Sequence, residues 1–443
     1  MNQLFYPTID LFSYDLKSAL NLSSEEIEEQ RQDFLAKFPP EVRANFRQSA
    51  NQTEYFDLFL DPKTGENEFD FEPQNPALEG YYYPVRINDV YGLQIDCSVK
   101  NLSEAQDVTS FADIKIEIEN KIASDHLTIG YTWLVSGWLR EEDSQNAATI
   151  AQACYEVLFP ENNWRTGIYS EGDFLNGKFF EIWQRESKVQ QHVVFLLFPN
   201  KDMAIKGAEF YSDWMGLFCY RHKITWAYQQ SRTIKASLVN HYRKVDVNAK
   251  IIKQNQYNIQ ASNNNAKGSL DEIQGILDQY TIDLLKLTFQ KQIIEINLEN
   301  YQRRVELIKQ KLSEVESELK NNLGKLSIFD NLVENKYLSQ IDKDNDNMQL
   351  GIKLLENKIN ATNSKIEIEK GERDRNFQNI ITFIGTGMAG TKLIESSQKT
   401  CEIFYDKEST TCENPTSRIS ITVGLILICG LLGWLFKYLI KKL

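Results

Sequence analysis

Across 443 residues, 42% hydrophobic side chains, among them 24 Phe, 20 Tyr and 7 Trp, supply material for a large core. That excludes an intrinsically disordered chain and leaves room for two or three units. The 49 Lys and Arg are outnumbered by 62 Asp and Glu, a formal charge of -13; with no basic patch of interleaved aromatics ahead of the C-terminal region, nucleic acid is not an expected partner.

The opening "MNQLFYPTIDLF" has neither a basic n-region nor an unbroken apolar run, so no signal peptide is expected and the bulk of the chain is placed in the cytosol. Residues 1–80 read as a mixed, acidic N-terminal extension. Within it Ser23-Ser24-Glu25-Glu26 forms a capping box that opens a helix to about Phe38, where Pro39-Pro40 stops it.

Residues 81–200 read as an α/β domain with a mainly antiparallel sheet, which makes the fold class α+β. Leu93, Ile95, Cys97 and Val99 alternate, as do Ile114, Ile116 and Ile118, and both sets suggest strands. A helix is expected from about Asn146 to Leu158, a hairpin turn at Asn176-Gly177, and a buried strand in "HVVFLLF" from His192. Cys97, Cys154 and Cys219 stand in apolar or strand-like surroundings and read as reduced packing residues.

Nine of the ten prolines lie at or before Pro199 and the tenth is Pro415, which suits continuous helix between them. A long helix is expected over 201–260, a linker over 261–269 and a coiled-coil stalk over 270–376. Its seam runs through Ile273, Leu277, Tyr280, Leu284 and Leu287, then from Ile294 to Leu319, with apolar residues alternately four and three apart. Breaks are suggested at Asn321 to Gly324 and at "DKDNDN" from Asp342, so a single rod and a folded-back hairpin both fit.

Ile419 to Phe436 carries no charge, with Arg418 before it and Lys437, Lys441 and Lys442 after it; it reads as a transmembrane helix over 419–440. A second span is expected over 377–397. There Thr382, Thr386, Ala389 and Gly390 share one helical face bordered by Gly385, suited to a pore or to close helix packing. Gly385-Thr-Gly387-Met-Ala-Gly390 also fits the G-x-G-x-x-G of a dinucleotide site. The roughly 40 residues before the last span are too few for the parallel strands such a site needs. With two spans, Lys370, Arg373 and Arg375 and the terminal lysines all lie inside. The loop over 398–418 then faces outward, where Cys401 and Cys412 can form a disulfide.

No catalytic motif, cofactor site or metal site is legible. Asp342, Asp344 and Asp346 fit three positions of a calcium loop, but Asn347 stands where glycine is needed and Lys353 where the bidentate acid is needed. His126, His192, His222 and His241 have no partner at ligand spacing and read as packing or surface residues. An enzyme is therefore not expected, although a pocket assembled by the fold is invisible at this level.

A cytosolic α/β domain, long helices, two C-terminal spans and a lysine-rich last turn resemble the layout of the CorA-type magnesium channels. Gly387-Met388 matches two residues of that family's Gly-Met-Asn motif, with Ala389 in place of the asparagine. The resemblance implies a ring-shaped oligomer whose first span lines a pore. The expectation is thus a two-pass integral membrane protein in the lipid bilayer, homo-oligomeric through its coiled coil. Its cytosolic domain would bind a protein or small-molecule ligand and gate a CorA-like pore. A membrane-anchored coiled-coil scaffold without transport activity is the alternative.

Overall fold

The computed structural model describes residues 2–18, 23–47, 53–122, 129–164, 167–183, 191–255, 262–315 and 321–363. The chain divides into two compact units, one of Met1–Leu238 with Leu284–Gln349 and one of Val239–Asp283 with Leu350–Leu443.

The first unit is built on a mixed ten-stranded sheet, in keeping with the α+β class. Its strands are β1 (Gln3–Leu16), β2 (Tyr55–Asp57), β3 (Phe69–Phe71), β4 (Leu78–Ile87), β5 (Val90–Val99), β6 (Ala105–Asp107), β7 (Gly130–Trp138), β8 (Ile168–Phe174), β9 (Gly177–Trp183) and β10 (His192–Phe198). They lie in the order β2-β4-β5-β1-β7-β10-β9-β8, with β3 on β4 and β6 on β1. Every pairing among the described strands is antiparallel except β7 with β10.

The central strand, β1, comes from the first 16 residues, so the N-terminal stretch is part of the sheet and not an extension to it. One face of the sheet is apolar. Ile9, Leu11, Ile95, Val135, Ile182 and Phe195 pack there against α1 (Ser24–Ala36), α3 (Ser110–Lys121) and α4 (Ala147–Leu158). The predicted strand at Ile114 to Ile118 is α3 instead: Phe111, Ile114 and Ile118 are buried at helical spacing while Ile116 is 54% exposed. Ile114 and Ile118, four apart, share a helical face as well as a strand face, and the sheet had a hydrophobic face to cover.

The hairpin between β8 and β9 is present one residue earlier than expected. Leu175 and Asn176 adopt positive φ of 51° and 59°, and Gly177 opens β9, where a Cβ would collide with the Leu197 carbonyl. The capping box at Ser23 and Glu26 is formed as read.

Helix α5 (Lys201–Ala208) leads to α6 (Tyr211–Asn255), whose first turns cover the second sheet face. Trp214 stacks on Phe179, and Phe218 meets Phe12 edge-on at 5.5 Å. The Tyr14 hydroxyl donates to the Met215 carbonyl at 2.8 Å. Helix α7 (Ser262–Val315) begins within the expected linker, and its seam residues from Leu284 to Leu312 are buried within this unit. Helices α8 (Ser327–Leu332) and α9 (Ser339–Asn363) follow. "DKDNDN" does not break the helix. It lies inside α9, because buried Asp344 is paired with Arg232 and Lys235 of α6. In the second unit, buried Ile273, Leu277 and Tyr280 of α7 and Ile352 and Leu355 of α9 form the apolar part, with His241 3.3 Å from Asp283.

Among the described residues no helix is long and apolar enough to cross a membrane. Helices α6 and α7 are long, but each is amphipathic, with Arg, Lys and Asp along α6 and Arg, Lys, Asp and Glu along α7. Among the described residues this overturns the two-pass membrane reading, together with the gated pore, the membrane-anchored scaffold and the integral-membrane localisation. The predicted spans 377–397 and 419–440, with Thr382, Gly385, Thr386, Ala389, Gly390, Cys401 and Cys412, lie outside the described residues.

Candidate functional site

Three local features build a cleft beside α1. The capping box fixes where α1 starts, so Phe34 in its last turn lands on Tyr91 of β5, rings 4.7 Å apart and 15° from parallel. Pro39 and Pro40 end that helix and start the short α2 (Pro40–Arg43), and the Arg43 guanidinium donates to the Phe38 carbonyl at 2.7 Å. The chain then turns back. The Arg47 amide donates to the Leu58 carbonyl at 2.7 Å and Phe46 bridges Phe59, which closes the cleft from the side of β2.

The cavity so formed measures about 290 Å³. Lys17, Arg31, Arg47 and Arg86 supply cations to its lining, Phe34, Leu35, Phe46 and Leu58 supply apolar surface, and Tyr91 adds a ring and a hydroxyl. Among the described lining residues there is no carboxylate. Glu28 reaches Arg31 at 3.3 Å, but its side chain is 56% exposed, so it screens that charge weakly.

Arg86 is the buried member, 7% exposed. It donates to the Thr53 carbonyl at 2.8 Å, the Thr53 hydroxyl at 3.2 Å and the Asn88 carbonyl at 3.2 Å. The guanidinium groups of Arg47 and Arg86 lie 4.8 and 5.8 Å from the centre of the Phe56 ring. Burial pushes the Tyr91 phenol above its ordinary value, with Arg31 and Arg86 pulling against it; the hydroxyl is neutral at physiological pH and free to donate to an anion.

The tight β4–β5 turn carries the rim. Asn88 adopts φ of 52°, a conformation asparagine tolerates, and Asp89 follows it. The Asp89 carboxylate is ion-paired with Lys223 of α6, and its carbonyl accepts the Lys17 amide at 2.9 Å. Next to Thr53, Glu54 accepts the Tyr220 hydroxyl and lies 3.6 Å from Arg304 of α7. Asp89 and Glu54 are thus turned toward the helices.

A second polar cluster lies sealed between the sheet and α6. His192 Nε2 is 3.0 Å from Glu181 Oε1, and its Nδ1 is 2.7 Å from the Thr132 hydroxyl, which is 2.7 Å from His222 Nε2. Ser170 donates to the other Glu181 oxygen at 3.1 Å, and Arg221 lies 3.5 Å from that carboxylate, sandwiched between Trp183 and Phe329. Carboxylate, imidazole and hydroxyl occur here in the order of a nucleophilic triad. Thr132 is nevertheless wholly buried and does not line the cleft, so the cluster joins α6 to the sheet.

Burial and Arg221 lower the His192 pKa to about 4, and burial, His192 and Arg221 hold His222 well below its ordinary value. Burial alone would raise Glu181, but Arg221 and His192 hold its carboxyl below the usual range. Two of the four histidines judged scattered in the sequence are therefore brought together, His241 is in the second unit, and His126 lies outside the described residues. A further buried pair, Asp10 and Asp96, sits directly opposite on β1 and β5, with Gln94 donating to Asp10 at 2.8 Å.

Sequence reasoning missed the basic cleft, because its cations are spread from residue 17 to residue 86 and are collected only by the sheet. The adjacent Phe46-Arg47 and the spacing of Arg31 and Phe34 are the only local traces of it. No family model, curated protein or solved structure matches this chain.

Proposed function

We propose that this protein is a non-catalytic binding protein that takes a small anionic ligand in the cleft between α1 and the β4–β5 turn, and that the bound state is felt by α6 and α7. The carrying observation is the gathering of Lys17, Arg31, Arg47 and Arg86 around one cavity without a lining carboxylate among the described residues, in a chain of formal charge -13. Four like charges repel one another, and an anion relieves that repulsion as well as accepting their hydrogen bonds. Arginine predominates, which suits planar, bidentate contact with phosphate or carboxylate oxygens.

The route to the helices is short. A ligand that draws on Arg86 competes with the Thr53 and Asn88 carbonyls, and the next residue after each, Glu54 and Asp89, is anchored to α6. Calorimetric titration of the full chain with pyrophosphate and with citrate, at low and moderate salt, tests the reading. Binding that weakens with salt and is lost in the Arg31→Ala/Arg47→Ala double variant is expected. Both side chains are at the surface, so the fold survives their truncation. Absence of binding by either anion at low salt overturns it.

A further inference from the structure

We propose that the anion taken by this cleft is a phosphate monoester carried on a planar aromatic ring system, of mononucleotide size. This rests on the anion-binding reading above and adds to it the apolar part of the lining. Among the cations the lining is apolar: it includes Leu35, Leu58 and Phe34 stacked on Tyr91, and the Phe46 ring is half-buried. That ring is held 4.8 Å from Phe38 and 6.3 Å from Phe59, so it is a fixed surface and not a loose side chain. A bare inorganic anion leaves this apolar lining in water, whereas a ring laid against it buries apolar area at no cost to the charged contacts.

The shape of the pairings favours a flat ring over an alkyl chain. The guanidinium groups of Arg47 and Arg86 already lie against an arene, Phe56, and Phe34 and Tyr91 are nearly parallel. Stacking of this kind accepts any base-like ring, because it uses the π-face and not a hydrogen-bonding edge. The volume, about 290 Å³, stands at the lower end of the range for small-ligand sites, enough for one ring system and its phosphate. The phosphate then meets Lys17, Arg31 and Arg86, and the neutral Tyr91 hydroxyl donates to it.

Equilibrium titrations of the full chain with adenosine monophosphate, ribose 5-phosphate and adenosine test this. Adenosine monophosphate is expected to bind about tenfold or more tightly than ribose 5-phosphate, the size of one aromatic stack, and adenosine not measurably. Phe46→Leu, which keeps apolar packing on Phe38, is expected to bring adenosine monophosphate down toward ribose 5-phosphate while leaving the latter unchanged. Arg31→Ala is expected to weaken both by the same factor. Equal affinity for the two phosphates overturns the aromatic class and leaves anion binding standing. Failure of both phosphates to bind overturns anion binding as well, and tight binding of adenosine alone assigns the cleft to neutral rings and overturns the proposal.

Discussion

Arg86 donates a 2.8 Å hydrogen bond to the carbonyl of Thr53, and in doing so it holds the segment whose next residue, Glu54, is anchored to Tyr220 of α6. The same guanidinium holds Asn88, whose neighbour Asp89 is paired with Lys223 one turn further along α6. One buried cation therefore braces both fastenings between the cleft and the helix.

Arg86→Ala removes a buried donor and leaves two carbonyls to find new partners. A loss of about 2–3 kcal/mol is expected in urea unfolding, within the range for a charged hydrogen-bonding group. Hydrogen exchange should quicken over Thr53 to Asp57 and in α6 near Tyr220. A variant with unchanged exchange in α6 would sever the cleft from the helix.

Glu181→Ala is expected to cost more, about 3–5 kcal/mol, because it strips the carboxylate from the buried Arg221 and from His192. Anion binding in the cleft should survive wherever the fold does. Denaturant midpoints and phosphate titrations on the same preparation separate the two effects.

The histidines impose a pH dependence. Folded His192 takes up its proton near pH 4, against an ordinary value of 6.5. Between those values the unfolded chain binds more protons, so stability present above pH 6.5 is lost as the pH falls toward 4. His192→Gln should flatten part of that slope in urea titrations run across the window. An unaltered slope would mean that the imidazole is not the group being titrated.

Asp10 works in the opposite sense. Burial raises its pKa from 3.8 to about 6, relieved in part by Gln94, with Asp96 and Tyr211 also in contact. The Tyr81 hydroxyl accepts from the same Gln94 amide, and burial together with Asp10 keeps Asp96 protonated well above the carboxylate range. Its contribution is full below pH 3.8 and is lost as the pH rises through 6. Asp10→Asn removes that loss and keeps an oxygen for Gln94. A gain of about 1–3 kcal/mol at pH 7, vanishing near pH 4, is expected from thermal melts at the two pH values.

Asp344 tests the second reading drawn from "DKDNDN". Its buried carboxylate accepts from Arg232 and Lys235, which hold its pKa below the ordinary value against the effect of burial. Asp344→Ala should destabilise by about 3 kcal/mol, while calcium should change neither the wild-type nor the variant melt. A calcium-dependent rise in the wild-type midpoint would restore the metal reading.

What the sequence determined by itself was local. The Ser23 capping box, the helix stop at Pro39-Pro40, the β8–β9 hairpin and the buried helical seam of α7 each depend on residues a few positions apart. Their backbone geometry is favoured by contacts between near neighbours in the chain. Tertiary structure decided the rest. It made β1 the centre of the sheet, turned the Ile114 alternation into a helix because a sheet face needed covering, and kept Asp342 to Asn347 helical by pairing Asp344 with α6. It also drew Lys17, Arg31, Arg47 and Arg86 into one cleft of a chain whose net charge suggested the reverse. Charge at a site depends on which side chains the fold brings within a few ångströms, and net composition carries no record of that.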